Sequence, residues 1–326
     1  MYLNFYGLKE RPFDTTPDPR FLYPTPAHRE ALARLVYGIQ QNKGFIALTG
    51  EVGTGKTTLL HALLQRLDDS TAVAFLFNST LSFDGVLEYM LEEFGIGKTA
   101  VTPAQRLFAL NNFLVERRRV GQNTVLILDE AQNLDPKTLE QIRLLSNFES
   151  SSEKLLQILM VGQPELRTKL NLPELRQLKQ RIALSSTIRP LSPKEVHECI
   201  RTRLRIAGAS DLNLFSDRAV ARIADYTGGV PRLVNILCDH CLVIGYAEQE
   251  RRIDTQIVGQ AIESLEEGSL PKKQGRGVLS RRRMAPVRWA VTVLAGLLLG
   301  TVVSLAVSSE GSYLLDLARS ARGFLW

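Results

Sequence analysis

Two stretches of this chain hold residues whose types and spacing could act on phosphate. "GEVGTGKTT" (50–58) carries three glycines, then a lysine and two threonines. Gly50, Gly53 and Gly55 let the backbone turn its amides inward. Glu51, Val52, Thr54 and Thr58 complete a loop whose N–H groups would cradle phosphate oxygens at a helix N-terminus. Lys56 would bring positive charge to the outer phosphates, and the Thr57 hydroxyl would ligate Mg²⁺. The spacing is G-x-x-x-x-G-K-[ST], set between an apolar run and a helical pattern, which is the context such a loop needs. "TVLILDEAQNL" (124–134) is an apolar run that ends in adjacent carboxylates. Asp129 would hold Mg²⁺ through water, and Glu130 would act as general base on an attacking water. The pair implies ATP and Mg²⁺ as ligands, and hydrolysis to ADP and phosphate as the reaction.

Short apolar runs must position these residues. "FIALT" (45–49), "AVAFLF" (72–77), "TVLILD" (124–129), "LLQILMVG" (155–162) and "IALSSTI" (182–188) read as strands. Helical patterns over 55–66, 83–94, 103–119 and 136–148 separate them. That alternation predicts an α/β fold, a parallel sheet with helices on both faces. After Leu191 only helical patterns follow, over 193–207, 216–227, 230–247 and 254–267. "LSPKEV" opens the first with Ser192 as N-cap, Pro193 at the first position and Glu195 completing a capping box. The expected organisation is an α/β phosphate-loop domain over 1–190, a helical lid over 191–268, a basic linker over 269–288, a transmembrane helix over 289–307 and a short periplasmic tail over 308–326.

The net charge of +6 is local. Lys272, Lys273, Arg276, Arg281, Arg282, Arg283 and Arg288 crowd the linker, and subtracting those seven from +6 leaves −1 for the remainder. That balance argues against a nucleic-acid partner. From Trp289 to Val307 the chain runs 19 residues without a charge. At about 1.5 Å per residue this nearly covers the ~30 Å hydrocarbon core of a bilayer. The basic flank before it, against Arg319 and Arg322 after it, orients the first domain to the cytoplasm. The opening "MYLNFYGLKERPF" lacks the pattern of a signal peptide, and three cysteines suit a reducing compartment. Gly296, Gly300 and Ser304 share one face of the span and could pack against a second span. The C-x-x-C of Cys238 and Cys241 lacks a second pair and reads as buried small residues. "RLRIAG" (203–208) and "ERRR" (116–119) read as solvated basic faces.

"FYGLKERPFDTTPDPRFLY", "GEVGTGKTT", "ILDEAQNL", "GQPEL" and "GGVPRLVN" together resemble the AAA+ ATPases of the general secretion pathway protein A family, including pilus- and exopolysaccharide-associated relatives. The resemblance implies a phosphate-contacting lid arginine at Arg232 and a polar sensor at Gln163. It implies a trans-acting arginine finger at Arg181, with Arg176 next in line, and hence a homo-oligomer, such as a ring. It places the opening segment near the adenine, through Phe13 and Pro12. It also implies a cytoplasmic motor fixed to the inner membrane that drives assembly or remodelling of an envelope secretion, pilus or polysaccharide-export machine. The family's secretion members carry a periplasmic peptidoglycan-binding domain, for which the 19 residues after Val307 leave no room. The rival readings are an ATP-dependent DNA-targeting regulator and a nucleotide-gated switch with little turnover.

Overall fold

Residues 1–16, 18–77, 81–97, 102–149 and 153–269 are described by the structure, a computed structural model. The expected transmembrane helix, its basic flank and the tail lie outside them. Among the described residues, no helix is long and apolar enough to cross a membrane.

The chain opens with α1 (Tyr2–Tyr6) and α2 (Pro26–Gln40), then alternates: β1 (Phe45–Gly50), α3 (Lys56–Leu64), β2 (Ala72–Leu76), α4 (Phe83–Glu93) and α5 (Pro103–Arg119). It continues with β3 (Thr124–Leu128), α6 (Pro136–Leu145), β4 (Gln157–Gly162), α7 (Pro164–Leu170), α8 (Arg176–Arg181) and β5 (Ile182–Ile188). Four helices follow: α9 (Pro193–Ile206), α10 (Asp217–Thr227), α11 (Pro231–Ala247) and α12 (Thr255–Ser269).

All strands are parallel, in the order β2-β3-β4-β1-β5. β1, β3 and β4 are buried along their whole length, so their side chains alternate between two cores rather than between core and water. Leu126 and Leu128 of β3, with Ile158 and Met160 of β4, pack against α4, α5 and α6. Val125 and Ile127, with Leu159 and Val161, face α2 and α3. At about 1.5–3 kcal/mol for each buried aliphatic side chain, this two-sided burial fixes the register. β5 is an edge strand with alternating burial, which accounts for the serines in "IALSSTI".

Helix starts follow from local chemistry. α5 and α9 open with complete capping boxes, Thr102 with Gln105 and Ser192 with Glu195, each followed by a proline. Bonding to Arg189, together with the Ser192 amide, holds the Glu195 carboxyl down at about 2.

The four C-terminal helices share a third core with the opening segment. Tyr6, Leu8, Phe13 and Phe21 pack among Val196, Leu204, Phe215, Val220, Leu237 and Leu242. The first residues of the chain are therefore part of the helical module's core, although the sheet follows them in sequence.

One turn ties this module to the end of the sheet. Gly229 adopts φ +74°, its carbonyl accepts from Leu191 N at 2.8 Å, and a Cβ there would lie 1.9 Å from the Leu191 oxygen. Its neighbour Gly228 has φ +56° but faces open space. Gly228→Ala is expected to cost about 1 kcal/mol in backbone strain alone. Gly229→Ala adds a backbone collision and should cost about 3 kcal/mol. Thermal unfolding of the two variants checks this, and equal losses would contradict it.

Candidate functional site

In open parallel sheets ligands gather beyond the carboxyl ends of the strands. Here β1 delivers the glycine-rich loop, β3 delivers Asp129 and Glu130, and β4 lies between them with Gln163 at its end. The loop closes around Gly53 (φ +78°) and Gly55 (φ +95°), and Gly55 is the N-cap of α3. No side chain caps that turn, so the first amides of α3 are presented to the cavity that Gly53 to Thr58 line. That is an anion site by helix geometry.

Lys56 is buried, and its Nζ donates to the carbonyls of Gly50 (2.8 Å) and Glu51 (3.0 Å). Burial holds its pKa below the usual lysine value, against the pull of Glu130, Asp129 and Glu51. A phosphate would replace two neutral acceptors with charged ones. Thr57 Oγ1 lies 3.5 Å from Asp129 Oδ2, too long for a strong hydrogen bond. Two hard oxygens so placed fit Mg²⁺, which takes few protein ligands and keeps waters and phosphates for the rest. Among the described residues no group of three or more His, Cys, Asp or Glu could hold a metal by itself. Burial raises the Asp129 pKa, and a cation opposite it would pull that pKa back down.

Glu130 sits in the left-handed region at φ +52°, a strained backbone for a residue with a Cβ. Its Oε2 accepts from Gln132 Nε2 (2.5 Å) and Gln163 Nε2 (3.1 Å). Gln132 Oε1 in turn accepts from the Gln163 amide at 3.0 Å. Lys169 secures the turn through the carbonyls of Gln132 and Leu134. Gln163 thus commits one of its two side-chain N–H donors to Glu130. Gln132 is a positioning residue that the sequence pattern does not single out.

Arg232, at the start of α11, lines the same cavity. Its backbone N–H donates to the Gly53 carbonyl at 3.1 Å, and a Cβ on Gly53 would come within 2.6 Å of the Arg232 Cβ. Arg181 is placed elsewhere. Its Nη1 bonds Ser146 Oγ and Asn147 Oδ1 at the C-terminal end of α6, where cationic groups are favoured. Arg176 is exposed on α8.

The opening segment does reach the cavity, but not through the residues expected. Phe13 is 1% exposed and packs edge-on against Phe215 in the helical core. Pro12 offers its carbonyl to Arg203 Nη1 at 2.9 Å. Asp18, Phe21, Leu22 and Tyr23 line the cavity instead, with Leu191, Cys199, Arg203 and Asn235 from the helical module. Arg203 is half-buried against Phe21, so "RLRIAG" is no solvated face at that position, while Arg205 is exposed. The helical period placing Cys199 and Arg203 on one face was the available signal.

His28 joins α2 to the loop. Thr25 Oγ1 accepts from the His28 amide (3.1 Å) and lies 2.7 Å from Nδ1, while Nε2 lies 3.2 Å from the Thr54 carbonyl. With the hydroxyl donating to Nδ1, Nε2 carries the proton to Thr54, and burial keeps the ring neutral. Cys238 and Cys241 are buried small residues, and burial pushes the Cys241 thiol up to about 12.

Residues 39–170 match the AAA domain family. General secretion pathway protein A of Aeromonas hydrophila is 41% identical over 254 residues, which are 78% of this chain and 46% of that protein. The chain therefore spans about half the length of that relative. An uncharacterised HTH-type transcriptional regulator of Methanocaldococcus jannaschii is 30% identical over 148 residues, 43% of this chain and 35% of that protein. Among solved structures, the ORC2 protein of Aeropyrum pernix aligns with a TM-score of 0.60 at 18% identity, covering 80% of this chain and 73% of its own. That last likeness is one of fold.

Burial of the Lys56 ammonium costs the fold, so the residue's expected role at phosphate can be separated from its part in stability. Lys56→Met keeps its length and removes the buried charge. Nucleotide affinity should fall about a hundredfold or more, since charge-assisted bonds to phosphate are lost. The thermal midpoint should drop by no more than about 3 °C. Titration and unfolding of the same sample check both, and retained affinity would remove Lys56 from the site.

Proposed function

We propose, from the likeness to general secretion pathway protein A and the match of residues 39–170 to the AAA domain family, that this protein binds ATP with Mg²⁺ and hydrolyses it to drive assembly or remodelling of an envelope secretion, pilus or polysaccharide-export complex. The observation that carries the reading is the convergence of Lys56, Thr57, Asp129 and Glu130 beyond the ends of β1 and β3, with Arg232 facing the same cavity.

Each residue has a defined task. The loop amides and Lys56 bind and orient the phosphate chain. Thr57 and Asp129 hold Mg²⁺, which when bound draws off charge that builds on the transferring phosphoryl group. Gln132 and Gln163 both engage Glu130 Oε2, which leaves Oε1 to orient a water and take its proton. Arg232 stands on the helical module, so a phosphate contact from its guanidinium would couple hydrolysis to movement of that module as a lid.

The cellular setting is inferred from sequence. The apolar run 289–307 and the basic residues before it support a single-pass inner-membrane anchor with the ATPase in the cytoplasm. The small-residue face of Gly296, Gly300 and Ser304 supports pairing with another copy or a single-span partner. Arg181 is the proposed finger toward a neighbouring copy in a homo-oligomer. For that role it must leave the end of α6.

Purified full-length protein should hydrolyse ATP only with Mg²⁺. Glu130→Gln should keep ATP affinity within about threefold and lose at least about a hundredfold in turnover. Arg181→Ala should also be slow, and mixing it with Glu130→Gln should recover part of the rate through mixed oligomers. Parental turnover in Glu130→Gln would contradict the mechanism. Full activity of Arg181→Ala alone would move the finger to another residue. Retention of DNA at physiological salt, with loss of retention at high salt, would instead favour the DNA-targeting reading.

A further inference from the structure

The part of the cavity that lies outside the phosphate loop is built by the opening segment and the helical module, and Asn235 of α11 lines it. Asn235 lies three residues beyond Arg232, so both fall on one face of the helix. It is only 5% exposed, yet its Oδ1 is closed to solvent and finds no hydrogen-bond partner. Six buried side-chain atoms lack a partner among the described residues, and Asn235 Oδ1 alone belongs to a residue lining this cavity. Buried amides are normally satisfied, because a stranded carbonyl keeps the cost of its lost hydration. An asparagine amide turns broadly about χ2, so a ligand edge can draw either end of it toward the cavity.

We propose that Asn235 reads the base of the bound nucleotide and selects adenine. The proposal rests on the reading of this cavity as an ATP site. An amide offers one acceptor beside one donor. Adenine offers the complement, an exocyclic 6-amine next to a ring-nitrogen acceptor, and asparagine pairs with that edge through two hydrogen bonds. Guanine presents two acceptors there, O6 and N7, so one of them would oppose Oδ1 and leave it stranded. Two charged groups that line the same cavity are committed. Arg203 Nη1 donates to Pro12 O at 2.9 Å with its guanidinium 5.5 Å from the Phe21 ring centre. Asp18 accepts from the Arg20 amide at 2.9 Å and from its guanidinium at 2.7 Å. Arg203 Nη1 could donate to guanine only by giving up its bond to Pro12, and the Asp18 carboxylate accepts and has no donor to offer.

The test is equilibrium titration of the full-length protein with ATP, GTP and purine riboside triphosphate, in which hydrogen replaces the 6-amine. Parental protein should bind ATP on the order of tenfold tighter than either of the others. Asn235→Leu, checked for fold by circular dichroism, should bind all three alike, near the parental affinity for GTP. A merely structural role would weaken all three equally and leave their ratios intact. The purine riboside comparison uses the parental protein, so it decides even where the variant fails to fold. Equal parental binding of ATP and purine riboside triphosphate, a preference for GTP, or an unchanged ATP-to-GTP ratio in folded Asn235→Leu would overturn the proposal. Parental protein that binds no purine triphosphate would overturn the ATP reading itself and this proposal with it.

Discussion

The backbone hydrogen bond from Arg232 to the Gly53 carbonyl, 3.1 Å long, fixes where everything else in the site can be. It joins the phosphate loop to the first turn of α11. The contact is close because Gly53 has no side chain: a Cβ there would collide with Arg232. A nucleotide bound at the loop must therefore lie against α11. The cavity beyond the loop is lined by residues from elements far apart in sequence, Phe21 and Tyr23 from the opening segment and Cys199 and Asn235 from the helices. Any shift of α11 would therefore have to break or carry with it this contact to the loop.

The opening segment packs with the same helical module. Tyr6, Leu8, Phe13 and Phe21 are buried with the four C-terminal helices rather than against the sheet. His28 braces the loop, since its ring spans from the Thr25 cap to the Thr54 carbonyl inside the loop. Burial disfavours the charged form of that ring, so it joins α2 to the loop as a hydrogen-bonding group.

Much of this was legible in the sequence where one residue type serves one local need. The five strands were readable because "FIALT", "TVLILD" and "LLQILMVG" are apolar on both faces, as a central parallel strand must be. The loop was readable because glycine, lysine and threonine at that spacing have few other uses. Strand order was not readable, because it depends on pairings such as Ile46 with Leu159 that no local pattern encodes. The wall of the cavity beyond the phosphate loop was also hidden. Arg203 sits in a run of basic residues that looks solvated, and its burial depends on Phe21 arriving from the other end of the chain. Phe13, the aromatic that looked best placed for a base, is taken by Phe215. Arg181 and Gln163 show a related limit. Their positions at element ends were visible, but their partners Ser146 and Glu130 were not, and those partners decide what each side chain can do.

The central claim is that nucleotide binds between the phosphate loop and α11 and holds them together. Hydrogen–deuterium exchange of the full-length protein, with and without ATP and Mg²⁺, tests it most directly. The account predicts that the loop at 50–58 and the first turn of α11 at 230–235 gain protection together at the same nucleotide concentration. Protection of the loop with unchanged exchange at 230–235 would contradict it, because the nucleotide would then be bound by the sheet alone.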